Sequence, residues 1–168
     1  ASSNNTRNRV TTILTYDVCN ADWPIDKYDT AIFYSYDIHG NVNEMSQRIS
    51  PELIHAPQFS EGTLNKVNYE YDLISGNVNK VYYQKGNRFN DQFIHKYNYD
   101  ADNRITSVET SRDGEIWEKD ASYLYYDHGP LAKVIIGDKK VQGTDYAYTL
   151  QGWLKTVNSE NMATNNKD

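Results

Sequence analysis

Residues 97–105 read Tyr-Asn-Tyr-Asp-Ala-Asp-Asn-Arg-Ile, and this pattern recurs along the chain of 168 residues. Side chains alternate between the faces of a β-strand, so Tyr97 and Tyr99 share one face and the polar Asn98 lies on the other. The aspartate that follows can accept hydrogen bonds from amides further along the chain, which closes a turn. Asparagine or glycine then supplies the left-handed backbone that other residues resist. The pattern therefore predicts a strand, a tight turn and a returning strand.

Five copies of the pattern are present, and they align when one extra residue is allowed before Gly76 in the second copy. The tyrosine pairs are Tyr34 and Tyr36, Tyr69 and Tyr71, Tyr97 and Tyr99, Tyr123 and Tyr125, and Tyr146 and Tyr148. An aspartate follows the first three pairs as Asp37, Asp72 and Asp100. The residue of the reversal, called here the turn residue, is Gly40, Gly76, Asn103, Gly129 or Gly152. Two positions later comes an apolar residue, called here the exit residue: Val42, Val78, Ile105, Leu131 or Leu154. This agreement predicts tandem β-hairpins.

A second apolar residue follows each exit residue by three positions, as Met45, Val81, Val108, Val134 or Val157. A step of three does not fit strict alternation, and a β-bulge where the chain leaves the turn would reconcile the two. Further reversals are indicated at Lys85-Gly86-Asn87, Arg112-Asp113-Gly114 and Gly137-Asp138-Lys139. We expect an all-β fold, an antiparallel meander of about ten strands. A β-propeller competes, but copies 23 to 35 residues apart are short for four-stranded blades.

The domain organisation follows from where the pattern begins and ends. Residues 1–12 are polar and are expected to be a flexible N-terminal segment, with a second flexible segment at 159–168. Residues 13–158 are expected to form one β-repeat domain, because no linker interrupts them.

The composition sets limits on function. Tyrosine contributes 15 residues against 4 phenylalanines and 3 tryptophans, and its half-apolar ring suits a half-exposed sheet. The formal net charge of −6 repels phosphate backbones and so disfavours nucleic-acid partners. No apolar run is long enough for a membrane span, and we expect no membrane insertion. Cys19 is the single cysteine, so an internal disulfide is impossible.

Candidate chemical groups are few. The repeated aspartates recur once per turn, which favours turn capping over acid–base catalysis or a repeated calcium site. The histidines His39, His55, His95 and His128 lack the spacing of a zinc site. No catalytic residue, metal site or cofactor is therefore predicted. Aromatic side chains can also stack on sugars, and the residues to test are Trp23, Trp117 and Trp153, although packing between sheet layers is the favoured explanation for all three.

The motif Tyr36-Asp37-Ile38-His39-Gly40-Asn41-Val42 resembles the YD repeat of RHS proteins, a family that includes bacterial polymorphic toxins and the animal teneurins. Residues 152–158, Gly-Trp-Leu-Lys-Thr-Val-Asn, are similar to the segment that ends the repeat array just before the conserved core of many bacterial members. The resemblance implies a larger curved or spiralling β-shell, secreted or at the cell surface. Such a shell encloses a C-terminal toxin or effector, or displays an adhesive surface.

The chain departs from the family pattern in two respects. Tyr126 and Thr149 stand where the repeat has aspartate, and the Asp-Pro self-cleavage signal is missing. We therefore expect a structural, non-catalytic repeat segment whose partner is the rest of its polypeptide or shell, with a C-terminal toxin domain as a further candidate partner. The alternative is an extracellular carbohydrate- or protein-binding adhesion module that contacts surface glycans; an enzyme with a site assembled from loops is a weaker third. The edges of the sheet are expected to invite self-association.

Overall fold

The computed structural model describes residues 6–16, 28–50, 63–86 and 91–158. The strands are β1 (Thr12–Thr15), β2 (Thr30–Tyr36), β3 (Val42–Ile49), β4 (Thr63–Tyr71), β5 (Val78–Tyr83), β6 (Phe93–Tyr99), β7 (Ile105–Ser111), β8 (Glu118–Tyr125), β9 (Leu131–Ile136), β10 (Gln142–Tyr148) and β11 (Leu154–Val157). Their order in the sheet is their order in the sequence. The predicted all-β antiparallel meander is confirmed, with eleven strands in place of about ten.

Several sequence predictions concern residues outside these ranges. Trp23, Cys19 and His55 lie there, and so does the expected C-terminal segment 159–168. At the other end β1 begins at Thr12, one residue before the predicted start of the repeat domain.

Chain contacts divide the fold into two compact units, and the first comprises Ala1–Tyr71 and Lys80–Phe93. In this unit β1 pairs with β2, β2 with β3 and β3 with β4, all antiparallel. Tyr34 lies opposite Met45, and Tyr36 lies opposite Val42. The register shifts between these two pairs, so the bulge predicted from the three-residue step is confirmed here.

The second unit comprises Asp72–Asn79 and Ile94–Asp168. Its strands β6 to β11 pair antiparallel in succession. The same pairing recurs in each hairpin: the first tyrosine faces the second apolar residue, and the second tyrosine faces the exit residue. The pairs are Tyr97 with Val108, Tyr99 with Ile105, Tyr123 with Val134, Tyr125 with Leu131, Tyr146 with Val157 and Tyr148 with Leu154.

The five turns share one backbone scheme. In the first, the Asp37 amide donates to the carbonyl of Asn41 at 2.9 Å, and the Gly40 amide donates to the carbonyl of Asp37 at 3.2 Å. This is the three-residue hairpin loop with a left-handed residue at its end, and Gly40 has φ +98°. The third, fourth and fifth turns repeat both bonds at 2.8–3.1 Å, and the second turn accommodates one extra residue before Gly76.

The two faces of the sheet differ in chemistry. In the second unit the tyrosine pairs and their apolar partners occupy one face, while the opposite face carries cross-strand polar contacts such as Lys96 Nζ to Glu109 Oε2 at 2.9 Å and Lys133 Nζ to Asp145 Oδ1 at 3.1 Å. Among the described residues the buried hydrophobic side chains are Ala31, Tyr36 and Ile94, and none of the large side chains is fully buried. The sheet is therefore stabilised by cross-strand pairs.

Candidate functional site

The aspartates of the first three turns are engaged by the backbone. Asp37 Oδ1 accepts from the amides of Gly40 at 2.6 Å and Asn41 at 2.8 Å. Asp72 Oδ2 accepts from the amide and hydroxyl of Ser75, each at 2.7 Å. These carboxylates cap their turns, which is the role that the sequence favoured.

Asp100 makes the fullest set of these contacts. Its Oδ1 accepts from the amides of Asp102 and Arg104, each at 2.9 Å, and its Oδ2 accepts from Arg104 Nε at 2.7 Å. The hydrogen bond from the Arg104 amide is the main reason that the pKa of Asp100 lies below its ordinary value, and the Arg104 guanidinium lowers this pKa further. The carboxylate is thus kept charged and bound in its turn, which does not suit a proton donor.

The fourth and fifth turns form without the aspartate. The Tyr126 amide donates to the carbonyl of Pro130 at 2.9 Å, and the Gly129 amide donates to the carbonyl of Tyr126 at 2.8 Å. In the fifth turn Thr149 Oγ1 accepts from the Trp153 amide at 3.2 Å, as Asp100 Oδ1 does from Arg104. Backbone bonds and the turn residue therefore suffice for the reversal, and aspartate is an additional cap.

A series of long-range tyrosine bonds links successive hairpins, and we call it the tyrosine ladder. In the first unit, the hydroxyl of Tyr36 donates to the carbonyl of Val10 at 2.6 Å and that of Tyr71 to Val42 at 2.9 Å. In the second unit, the hydroxyls of Tyr99 and Tyr125 donate to the carbonyls of Val78 and Ile105, each at 2.8 Å. Three of these bonds run from the second tyrosine of a pair to the exit residue of the preceding turn, and Val10, the acceptor of Tyr36, lies two positions after Asn8 as an exit residue lies after its turn residue. The ring thus packs within its own hairpin while its hydroxyl holds the previous one.

The residue just before the exit residue also reaches the next hairpin. The guanidinium of Arg104 lies 4.6 Å from the centre of the Tyr125 ring, and its Nη1 donates to the carbonyl of Gly129 at 3.3 Å. Asn77 occupies the same position, and its Nδ2 donates to Oδ1 of Asn103, the next turn residue, at 2.9 Å. Contacts between neighbouring turns therefore accompany the tyrosine ladder along this rim.

Residues 8–13 form part of a sixth copy that the sequence analysis missed. Asn8 has φ +59°, close to the +60° of the turn residue Asn103. Arg9 lies over the Tyr36 ring at 5.2 Å, as Arg104 lies over Tyr125. The available signal was the triplet Asn8-Arg9-Val10, which matches Asn103-Arg104-Ile105. This partial copy escapes a pattern that begins with a tyrosine pair, because residues 1–7 contain no such pair.

The fifth tyrosine pair has a different arrangement. The ring of Tyr148 meets the ring of Tyr126 edge-on, with centroids 6.4 Å apart. The hydroxyl of Tyr126 donates to the carbonyl of Tyr146 at 2.8 Å. Tyr126 stands where the first three turns have aspartate, so a bond to strand β10 takes the place of a cap within the turn.

Of the three tryptophans proposed as ligand-binding residues, the two that the structure describes, Trp117 and Trp153, do not form one site. Trp117 precedes β8 and Trp153 precedes β11, and the order of the meander places these two loops at opposite ends of the strands. Trp117 is half-buried; its Nε1 donates to the carbonyl of Gly114 at 3.2 Å, and Lys96 Nζ lies 5.4 Å from the ring centre. Trp153 is 74% exposed and does not pack between layers.

In the part of the chain that the structure describes, no group of three or more His, Cys, Asp and Glu side chains is placed to hold a metal ion. Within the same residues there is no helix of the length and apolarity needed to cross a membrane.

Comparison with known proteins gives no family for this chain. No protein-family model matches it, and no curated protein matches it.

Proposed function

We propose that this chain is a non-catalytic structural segment of a secreted or cell-surface protein of the RHS/YD-repeat type. In this role it forms part of a β-shell wall that encloses or displays a C-terminal toxin or effector. The proposal joins the motif resemblance to one observation, the tyrosine ladder.

The tyrosine ladder supports a structural role because each of its bonds stabilises one hairpin against the preceding one. The second, third and fourth hairpins are each attached to the one before by a bond from a tyrosine hydroxyl to a carbonyl, as from Tyr71 to Val42 and from Tyr125 to Ile105. In repeat proteins each unit relies on its neighbours for stability. A layer built in this way can be lengthened by further copies, and its two chemically different faces suit a wall with an inside and an outside.

A protease-protection experiment on the full natural protein tests enclosure. We expect the part that follows the repeats to resist protease until the repeats unfold in urea. The triple variant Tyr71→Phe/Tyr99→Phe/Tyr125→Phe should bring cleavage to lower urea, because it weakens the wall, whereas Tyr123→Phe should not. Cleavage of that part in native buffer, at the rate of an unfolded chain, would contradict the proposal.

A second function, carbohydrate binding, is favoured by Trp153 alone. Its ring is 74% exposed, and Leu150 in the same turn is fully exposed, so the two offer an apolar surface on which a sugar ring can stack. A glycan array tests this alternative: specific binding should be lost in Trp153→Ala and kept in Trp117→Ala, because Lys96 and Gly114 already engage Trp117. Equal binding by both variants would reject Trp153 as the site.

A further inference from the structure

The connection between β7 and β8, residues 112–117, contains Asp113-Gly114, the one aspartate–glycine pair in the sequence. Glycine has no side chain to hinder its own nitrogen, so such a pair can cyclise. The Gly114 nitrogen bonds to Cγ of Asp113, and the amide hydrogen and the carboxyl hydroxyl leave as water. Water then reopens the resulting succinimide on either side, which gives aspartate or isoaspartate. The net change is an isomerisation that needs no oxidant, cofactor or enzyme.

The backbone of this connection requires the glycine. Gly114 has φ +83°, a left-handed conformation that other residues resist. A Cβ added there would also lie 3.4 Å from Cδ1 of Ile94. The turn therefore contains a reactive pair, and the neighbouring groups decide how fast it reacts.

The hydroxyl of Ser111 binds both reacting groups. Its Oγ accepts from the Gly114 amide at 2.8 Å and donates to Asp113 Oδ1 at 3.0 Å. An amide that donates a hydrogen bond gives up its proton less readily, and the nitrogen must lose that proton to form the ring. Ser111 is only 4% exposed, so this hydroxyl is shielded from water.

Two backbone amides act on the carboxyl group of the pair. Asp113 Oδ1 accepts from the amides of Ile116 at 3.0 Å and Glu115 at 2.8 Å. The Ile116 amide, followed by the Glu115 amide and the Ser111 hydroxyl, holds the pKa of Asp113 below its ordinary value. The ionised carboxylate is a poor electrophile, because it has no hydroxyl to lose as water. The carboxyl and the nitrogen are thus both in their unreactive forms.

We propose that Asp113-Gly114 is a site of isoaspartate formation that the Ser111 hydroxyl protects in the folded protein and that reacts when the β7–β8 connection opens. In the product, one extra methylene group enters the main chain, so the carboxylate no longer lies where the amides of Glu115 and Ile116 bind it. Isoaspartate therefore accumulates in chains whose connection has opened. The site lies outside the tyrosine ladder, and the inference does not depend on the enclosing role.

The test compares the full chain with a peptide of residues 109–118, which is too short to hold the turn. Mass spectrometry measures isoaspartate after digestion with a protease that cleaves before aspartate and not before isoaspartate. The folded chain should isomerise at least about tenfold more slowly than the peptide, because only the opened connection reacts. Ser111→Ala should isomerise about two- to tenfold faster than the unaltered chain. Ser107→Ala, which removes another hydroxyl from β7, is the matched control and should leave the rate unchanged.

Hydrogen exchange separates a local effect of Ser111 from general destabilisation. In the unaltered chain the Gly114 amide should exchange at least about tenfold more slowly than in the peptide. In Ser111→Ala this amide should exchange faster, while the amides of β8 should not. Any of three results would overturn the inference: a folded chain that isomerises as fast as the peptide, no acceleration in Ser111→Ala, or β8 exchange that accelerates by the same factor as the isomerisation. None of these would contradict the enclosing role, which protease protection tests separately.

Discussion

At Tyr125 the ring and the hydroxyl have separate roles. The ring lies opposite Leu131 in its own hairpin, and the hydroxyl donates to the carbonyl of Ile105 in the preceding one. A phenylalanine would keep the first contact and lose the second. This separation explains why tyrosine, and not phenylalanine, stands at the second position of the first four pairs.

The Tyr125→Phe variant isolates the hydroxyl. We expect it to lower the free energy of unfolding by about 1 kcal/mol, because a part-buried carbonyl loses its donor. Urea unfolding followed by circular dichroism measures the change. Tyr123→Phe, two residues earlier on the same strand, is the matched control and should alter stability by less than about 0.5 kcal/mol. Equal losses in both variants would show that the bond from Tyr125 to Ile105 is not the cause.

Alkaline pH should destabilise the protein because it ionises partly buried tyrosines. Burial raises the pKa of Tyr71, Tyr99 and Tyr125 above 10.0, and burial together with the nearby Glu70 carboxylate raises the pKa of Tyr82 to about 12. These tyrosines therefore ionise at lower pH in the unfolded chain than in the folded protein. The stability that they contribute is complete below about pH 10 and is lost as the pH rises towards their pKa values in the folded protein. The urea midpoint should hold to about pH 9 and fall above 10. In Tyr82→Phe the fall should be smaller; a midpoint that stays constant to pH 11 would contradict these shifts.

At the scale of the hairpin, the turn residue must adopt a left-handed backbone conformation. Gly129 has φ +114°, and a Cβ added there would meet no atom within 4 Å. Gly129→Ala should therefore cost about 1–2 kcal/mol through backbone strain alone. Thermal unfolding measures the loss, and Asp127→Ala in the same turn is the control, with little change expected. If the two variants melt together, the left-handed conformation is not what closes the turn.

The hairpins themselves were predictable from sequence, because the information is local. The step of three positions from Val42 to Met45 and from Ile105 to Val108 predicted the bulge, and the tyrosine pairs and turn residues predicted the reversals. The tyrosine ladder was not predictable. Its bonds join residues 20 to 29 apart, so they depend on how successive hairpins are offset across connections of variable length. The hydrogen bond of the Tyr126 hydroxyl was not predictable for the same reason, since its acceptor lies 20 residues further along the chain.

At the scale of the whole molecule, stability should be local, since each hairpin contacts mainly its neighbours. Deleting residues 142–168 removes β10 and β11 together with the acceptor of the Tyr126 hydroxyl. Hydrogen exchange should then speed up in β9 and the fourth turn, while β2 and β3 keep their protection. Deletion of residues 159–168 alone is the control. Loss of protection throughout the sheet would instead indicate a single cooperative core.

The central claim is that the tyrosine ladder holds successive hairpins together. The most direct test compares the free energy of unfolding of the triple variant Tyr71→Phe/Tyr99→Phe/Tyr125→Phe with those of the three single variants. The three bonds join different pairs of hairpins, so their losses should add to about 3 kcal/mol, with the strand signal in circular dichroism preserved. A triple variant as stable as the unaltered protein would show that the hydroxyl–carbonyl bonds do not hold successive hairpins together.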